Sequence, residues 1–201
     1  MILESLLLAT SLQSNAPSPA YDLERPREER IRLAESAAPP EVAGSATVYV
    51  LERSGYVKVR DGSNGFTCIV DRQHPLNQEP TCFDAEGSTT TLPVRLAVEE
   101  LRAAGQSEDA IRAEVETGYQ SGRFRAPQKP GIVYMLSKEI YLYSSERNQV
   151  VRGTPHLMFY APYATDKDIG SPPSGRNMPR VLRAGQPDAY IIVFPGDGQE
   201  R

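Results

Sequence analysis

The chain has 201 residues, a formal net charge of −4, 22 basic and 26 acidic side chains, no tryptophan and only two cysteines. The charges are mixed along the sequence and form no basic stripe of the kind that holds phosphates, which argues against a nucleic-acid partner. Its 17 prolines and 15 glycines favour a loop-rich α+β domain over a helical bundle, and the length suits one core.

Residues 1–20 carry a short apolar run, Leu6 to Ala9, and end in Ser18-Pro19-Ala20. A small-x-small ending after an apolar run is the pattern of a secretory leader, although a basic start is missing and Glu4 interrupts the apolar half. The reading is an exported chain, secreted or periplasmic, whose mature form begins near Tyr21; the alternative is a disordered tail on a cytoplasmic protein. Neither this segment nor any later one is long and apolar enough to span a bilayer.

Arg27 to Ala38 reads as a charged helix with Ile31, Ala34 and Ala38 on one stripe. Pro26 suits its first turn and Pro39-Pro40 stop it. The period then changes to two. Ala46–Glu52, Tyr56–Arg60 and Phe66–Val70 make three strands, joined by Ser54-Gly55 and the Asp61–Gly65 turn, and predict a β-meander.

The stretch from Asn64 to Gly87 contains both cysteines, Cys68 and Cys82, and one of the two histidines, His74. Pro75 and Pro80 fix their own φ and push their predecessors out of the helical region, so the middle of this stretch is a loop. A Cys68–Cys82 bridge would close about 15 residues and contribute roughly 3 kcal/mol. In an exported chain this pairing is the expected one.

Two helices follow. Thr89 to Thr91 precede Leu92–Ala104, in which Val94, Ala97, Val98 and Leu101 recur at helical spacing. Ser107 caps a second helix with Ile111, Val115 and Tyr119 on its buried stripe. Gly122–Gly131 is an irregular basic connection to strands at Ile132–Leu136 and Ile140–Tyr143. Glu146–Gly153 reads as a surface loop. His156–Ala161 and Ala189–Phe194 are apolar on both faces, as buried central strands are. A proline- and glycine-rich loop, Pro162–Pro187, separates them, and Gly196–Arg201 is a tail expected to lack order. The sum is an α+β domain over residues 21–195: a mostly antiparallel sheet with its helices on one face.

NGFTC (Asn64–Cys68), PTCFDAEG (Pro80–Gly87), APQKPGIVYMLS (Ala126–Ser137) and HLMFYAPYATDKDIGSPP (His156–Pro173) carry a resemblance. Together they resemble a family of bacterial secreted proteins with no assigned activity. The resemblance spans most of the chain after Ala46 and implies export and a single domain, but no catalytic residues.

Two kinds of function fit the residue types, beside a third reading as a structural envelope protein with no site. In the first, the protein binds a small molecule or protein partner without covalent chemistry. The Pro162–Pro187 and cysteine loops form the rim, and Tyr160 and Tyr163 grip the ligand through ring and hydroxyl. The second is a small hydrolase or lyase in which His156 and His74 join Asp71, Asp84 or Glu86 in an acid–base site, with or without a metal. The spacing shows no HxH, HExxH or CxxC motif and no GxSxG elbow, so neither a cofactor nor a resident metal is expected. Asp166-Lys167-Asp168-Ile169-Gly170 carries two alternate carboxylates but lacks the remaining ligands of a calcium loop, and reads as a solvated turn.

Overall fold

The computed structural model describes residues 21–172 and 178–195. The leader-like segment 1–20 and the tail at 196–201 lie outside the described residues, as does 173–177 within the long loop. Among the described residues, five helices surround a mostly antiparallel eight-stranded sheet and a separate two-stranded hairpin. The α+β class and the disulfide agree with the sequence reading. Several details of the architecture do not.

The first concerns the expected meander. Strand β1 (Thr47–Glu52) pairs with β2 (Gly55–Arg60) as an antiparallel hairpin, as the alternating pattern requires. Strand β3 (Thr67–Asp71), however, lies beside β1 and parallel to it, so β2 is left at the sheet edge. The Asp61–Gly65 segment is therefore a crossing and not a hairpin turn. It passes the start of β1 so closely that a Cβ on Gly62 would lie 2.2 Å from the Thr47 amide nitrogen. Arg60 anchors the crossing: its Nε donates to the Ala46 carbonyl at 3.0 Å and its Nη2 to the Ala43 carbonyl at 2.6 Å.

Strand β4 (Glu79–Phe83) adds to β3 with Cys68 opposite Cys82. Their Cα atoms are 4.0 Å apart, the close spacing of a non-hydrogen-bonded antiparallel pair. Pro80 faces Val70 two residues further on and is of the same type, so its nitrogen points away from β3. On that other side β5 (Ile132–Met135) pairs with β4 only at Cys82 and Phe83. Pro80 thus sits in an interior strand without breaking a ladder bond. The rest of the sheet is antiparallel: β8 (His156–Tyr160), β10 (Tyr190–Val193) and the short edge strand β9 (Arg180–Leu182). Strands β6 (Tyr141–Ser144) and β7 (Gln149–Arg152) form the separate hairpin, where the polar sequence at Glu146–Gly153 had suggested a loop alone.

A further difference concerns the helices, which cover both faces of the sheet. Helix α1 (Arg27–Glu35) and the turns after it place Leu33, Ala34 and Ala37 over Val48, Val70 and the fully buried Cys68–Cys82 bridge. A four-residue helix, α2 (Pro40–Ala43), leads into β1. On the opposite face Leu92 packs with Ile69, Phe83, Val133 and Met158. Leu92 belongs to α4 (Thr91–Ala103), which follows the short α3 (Ala85–Thr89). The all-buried run from Thr67 to Asp71 is what a strand covered on both sides produces. Helix α5 (Glu108–Gln120) begins at Ser107, whose Oγ accepts from the Ala110 amide. It packs along α4 more than on the sheet.

Replacing Cys68 and Cys82 together by alanine is expected to lower unfolding free energy by about 2–4 kcal/mol, because the unfolded chain regains the closed loop's freedom and α1 loses its base. Urea denaturation of the double variant measures this; an unchanged midpoint would contradict it. Gly62→Ala is expected to destabilise as well, by forcing the crossing off β1.

Candidate functional site

Because α5 rests more on α4 than on the strands, a cleft of about 460 Å³ opens between α5, α4, the end of β3 and the loop before β10. Val94 and Val98 of α4 face it from one side, and Ile111 and Val115 of α5 from the other. The remaining boundary is charged. Asp71 ends β3, Asp188 precedes β10, and Arg95 of α4 lies between them with a side chain only 9% exposed. Arg95 Nε is 3.2 Å from Asp71 Oδ2, and Nη2 is 4.0 Å from Asp188 Oδ2. Burial opposes the charge on Arg95, but Asp71, Asp188 and Glu79 more than restore it, so its pKa lies above the ordinary arginine value.

A second knot of charge holds the mouth of the cleft. Glu99 of α4, itself buried, pairs with Arg72 at 2.8 Å and with Arg102. Arg102 also meets Glu108 in a bidentate pair, Nε to Oε1 at 2.7 Å and Nη2 to Oε2 at 3.0 Å. It donates to the Arg72 carbonyl at 2.6 Å too. One guanidinium thus ties the start of α5 to α4 and to the chain leaving β3. The hydrogen bonds from Arg102 hold the Glu108 carboxyl below the usual carboxylate range.

Beneath the cleft, Asp71 is the cross-strand partner of Glu79. Burial, followed by the charge of Asp71, pushes Glu79 up to about 7, while hydrogen bonds from Asn77 Nδ2 and the Gln73 amide pull it back. Asp71 is raised by its own burial despite Arg95. The carboxyl pair therefore retains a proton close to neutrality.

The expected site residues are dispersed. Only Asp71 lines the cleft. His74 stacks on Tyr143 with ring centroids 4.5 Å apart, its Nδ1 accepts the Leu76 amide, and burial lowers its pKa. His156 packs against Phe194; its Nδ1 lies 2.7 Å from the Thr154 carbonyl, which fixes that nitrogen as the donor. Burial lowers its pKa as well. The two histidines share no neighbour in these contacts. Among the described residues no group of three or more His, Cys, Asp or Glu could hold a metal ion.

Asp84 and Glu86 lie beyond the far end of β4 from Glu79. Asp84 Oδ1 accepts from the Gly87 amide and the Tyr160 hydroxyl, both at 3.0 Å, and Oδ2 from the Ile132 amide at 2.8 Å. This node caps α3 and joins it to β5 and β8. It closes so tightly that a Cβ on Gly131 would lie 2.2 Å from Asp84 Oδ2. Glu86 accepts the Gln128 amide at 2.6 Å. Tyr160 is accordingly a buried strut, whose hydroxyl pKa is raised by burial and then by Asp84. Tyr163 is 61% exposed and has a positive φ of 64°. In the Asp166–Gly170 segment the carboxylates are used locally: Asp168 accepts from the Thr165 amide and hydroxyl, and Asp166 from the Val181 amide.

Sequence reasoning did not single out Arg95, Glu79, Arg183 or Asp188. On α4 the arginine follows Val94 directly and looks like any solvated charge flanking an apolar stripe. Its only trace is the Arg95–Glu99–Arg102 spacing, which places three charges on neighbouring turns. No family model, curated protein or solved structure matches this chain.

The Glu79 geometry gives a sign for pH dependence. The folded state keeps this proton up to about 7, whereas the ordinary value is 4.5. Its contribution is thus full below the lower value and is lost as pH rises through the upper one. Glu79→Gln is expected to flatten the fall in Tm across that window and to raise Tm at pH 8 by a few degrees. A wild-type Tm that climbs over the same window, with the variant parallel to it, would contradict this.

Proposed function

We propose that the protein is an extracytoplasmic binding module that takes a small organic ligand into the cleft between α5 and the sheet, without covalent chemistry. The observation that carries this reading is an apolar-walled cleft whose lining residues carry buried polar atoms without a hydrogen bond among the described residues. The Tyr119 hydroxyl, on a residue lining the cleft, is buried and makes no hydrogen bond among the described residues. Arg72 and Arg95, which also line it, each have a buried Nε that makes no hydrogen bond there, although Arg95 Nε keeps its ion-pair contact to Asp71. Buried donors of this kind carry a desolvation cost unless something arrives to accept from them.

Both loops expected to form the recognition rim contribute. Arg72 and Gln73 begin the cysteine loop, and Arg183, Gln186 and Pro187 close the Pro162–Pro187 loop. The volume falls within the range of small-molecule clefts. Placement outside the cytoplasm draws support from the buried Cys68–Cys82 bridge, since such bonds persist in oxidising compartments, and from the leader-like residues 1–20. No helix among the described residues is long and apolar enough to cross a membrane.

Ligand-observed NMR with a library of small polar and apolar fragments tests the site. Fragments are expected to bind the wild type and to lose binding in Val98→Trp, which fills the cleft from its α4 wall. Tyr119→Phe is expected to leave unfolding free energy within about 0.5 kcal/mol, since the hydroxyl has no internal partner, yet weaken those fragments that accept from it by about fivefold. Binding that survives Val98→Trp unchanged would place the ligand elsewhere, and a library without a single hit would remove the reading.

A further inference from the structure

We infer that the ligand is a small zwitterion with an apolar body, for which a free aliphatic α-amino acid is the natural form. The inference rests on the cleft being the binding site and concerns the chemistry of its floor. A guanidinium offers five N–H donors in one plane, and a carboxylate can take two of them in parallel. Arg95 is almost wholly buried, yet it makes no hydrogen bond of acceptable geometry among the described residues, only the two ion-pair contacts to Asp71 and Asp188. Beside it stands a carboxylate in the converse condition. Asp188 is 2% exposed, and its Oδ1 accepts from Arg183 Nε at 2.7 Å. Its Oδ2 has only the 4.0 Å contact to Arg95 and no hydrogen bond among the described residues.

The floor therefore presents unused donors and an unused acceptor side by side. Asp71 and Asp188 balance Arg95 and Arg183 in charge. A simple anion approaching Arg95 would meet the two aspartates, and a simple cation approaching Asp188 would meet the two arginines. A molecule carrying both charges on adjacent atoms meets neither penalty: its carboxylate lies on Arg95 and its ammonium on Asp188. The Tyr119 hydroxyl is then available to the carboxylate as a further donor. Behind the charged end, the ligand's aliphatic part would enter between Val94 and Val98 on one wall and Ile111 and Val115 on the other. Burying an aliphatic side chain of leucine size there contributes the apolar part of the affinity.

Isothermal titration of the wild-type protein with L-leucine, isocaproate, isoamylamine and N-acetyl-L-leucine tests the inference, because these share the aliphatic body and differ in charge. Leucine is expected to bind. Isocaproate and N-acetyl-L-leucine (no ammonium) and isoamylamine (no carboxylate) are each expected to bind at least about tenfold more weakly. Arg95→Lys, which keeps the charge but loses the planar fork, is expected to weaken leucine by a similar factor, with folding checked by circular dichroism. Equal binding of leucine and either single-charge analogue would overturn the inference. So would an absence of leucine binding in a protein whose cleft still takes fragments in the NMR experiment, and that result leaves the binding-module reading intact. Loss of all cleft binding, fragments included, removes both.

Discussion

The Arg95 guanidinium, held between the carboxylates of Asp71 and Asp188, joins three parts of the chain that are distant in sequence: helix α4, the end of β3 and the loop entering β10. Removing a cation of this size from water is costly, and the two aspartates must be removed with it. Such an arrangement is weak as a source of stability compared with apolar packing of equal volume. What it does fix is position. Each carboxylate must stay within reach of the one guanidinium, so α4, β3 and the β10 entry cannot slide past one another without stranding a buried charge. A second guanidinium, Arg102, ties Glu108, at the start of α5, to the chain leaving β3. A space between helix and sheet results, with charge at its base and valine and isoleucine on its walls.

The rest of the fold supplies a rigid backing for that space. The crossing past β1 brings β3 into the middle of the sheet, where α1 covers it on one face and the α4 side on the other. The disulfide locks β3 to β4 under α1, and the Asp84 node locks β4, β5 and β8 at the opposite end. Asp71 thus projects from a strand whose position is fixed from every side, which suits a polar group that must hold one geometry while a ligand exchanges.

Much of this was legible from residue pattern. The Ser107 cap and the Ile111, Val115 and Tyr119 stripe define α5, and unbroken apolar runs mark β8 and β10. The paired cysteines around one proline-rich stretch announce their bond. Other features left no trace. Pro80 argues against an interior strand, and only the register, which points its nitrogen where β5 has already ended, removes the objection. The Asp61–Gly65 stretch has the composition of a hairpin turn, and nothing local distinguishes a turn from a crossing. Histidines and aspartates attract attention because of their chemistry, yet His74, His156 and Asp84 are engaged in stacking, a carbonyl bond and a helix cap. Arg95 passes for a surface charge because burial depends on what the distant β10 entry loop brings to it. Charged residues that a fold draws inward carry no periodic signature, so a site made of them becomes visible only when the chain is folded.

The most direct test of this account is NMR of the arginine Nε–Hε groups, following Arg95 in the free protein and after addition of a cleft-bound fragment. A guanidinium buried beside Asp71 and facing the cleft should give a resolved signal whose proton exchanges slowly with water, and that signal should shift on binding. An Arg95 resonance that exchanges as fast as those of exposed arginines such as Arg112, and does not respond to the ligand, would contradict the claim that this buried charge forms the floor of the binding site.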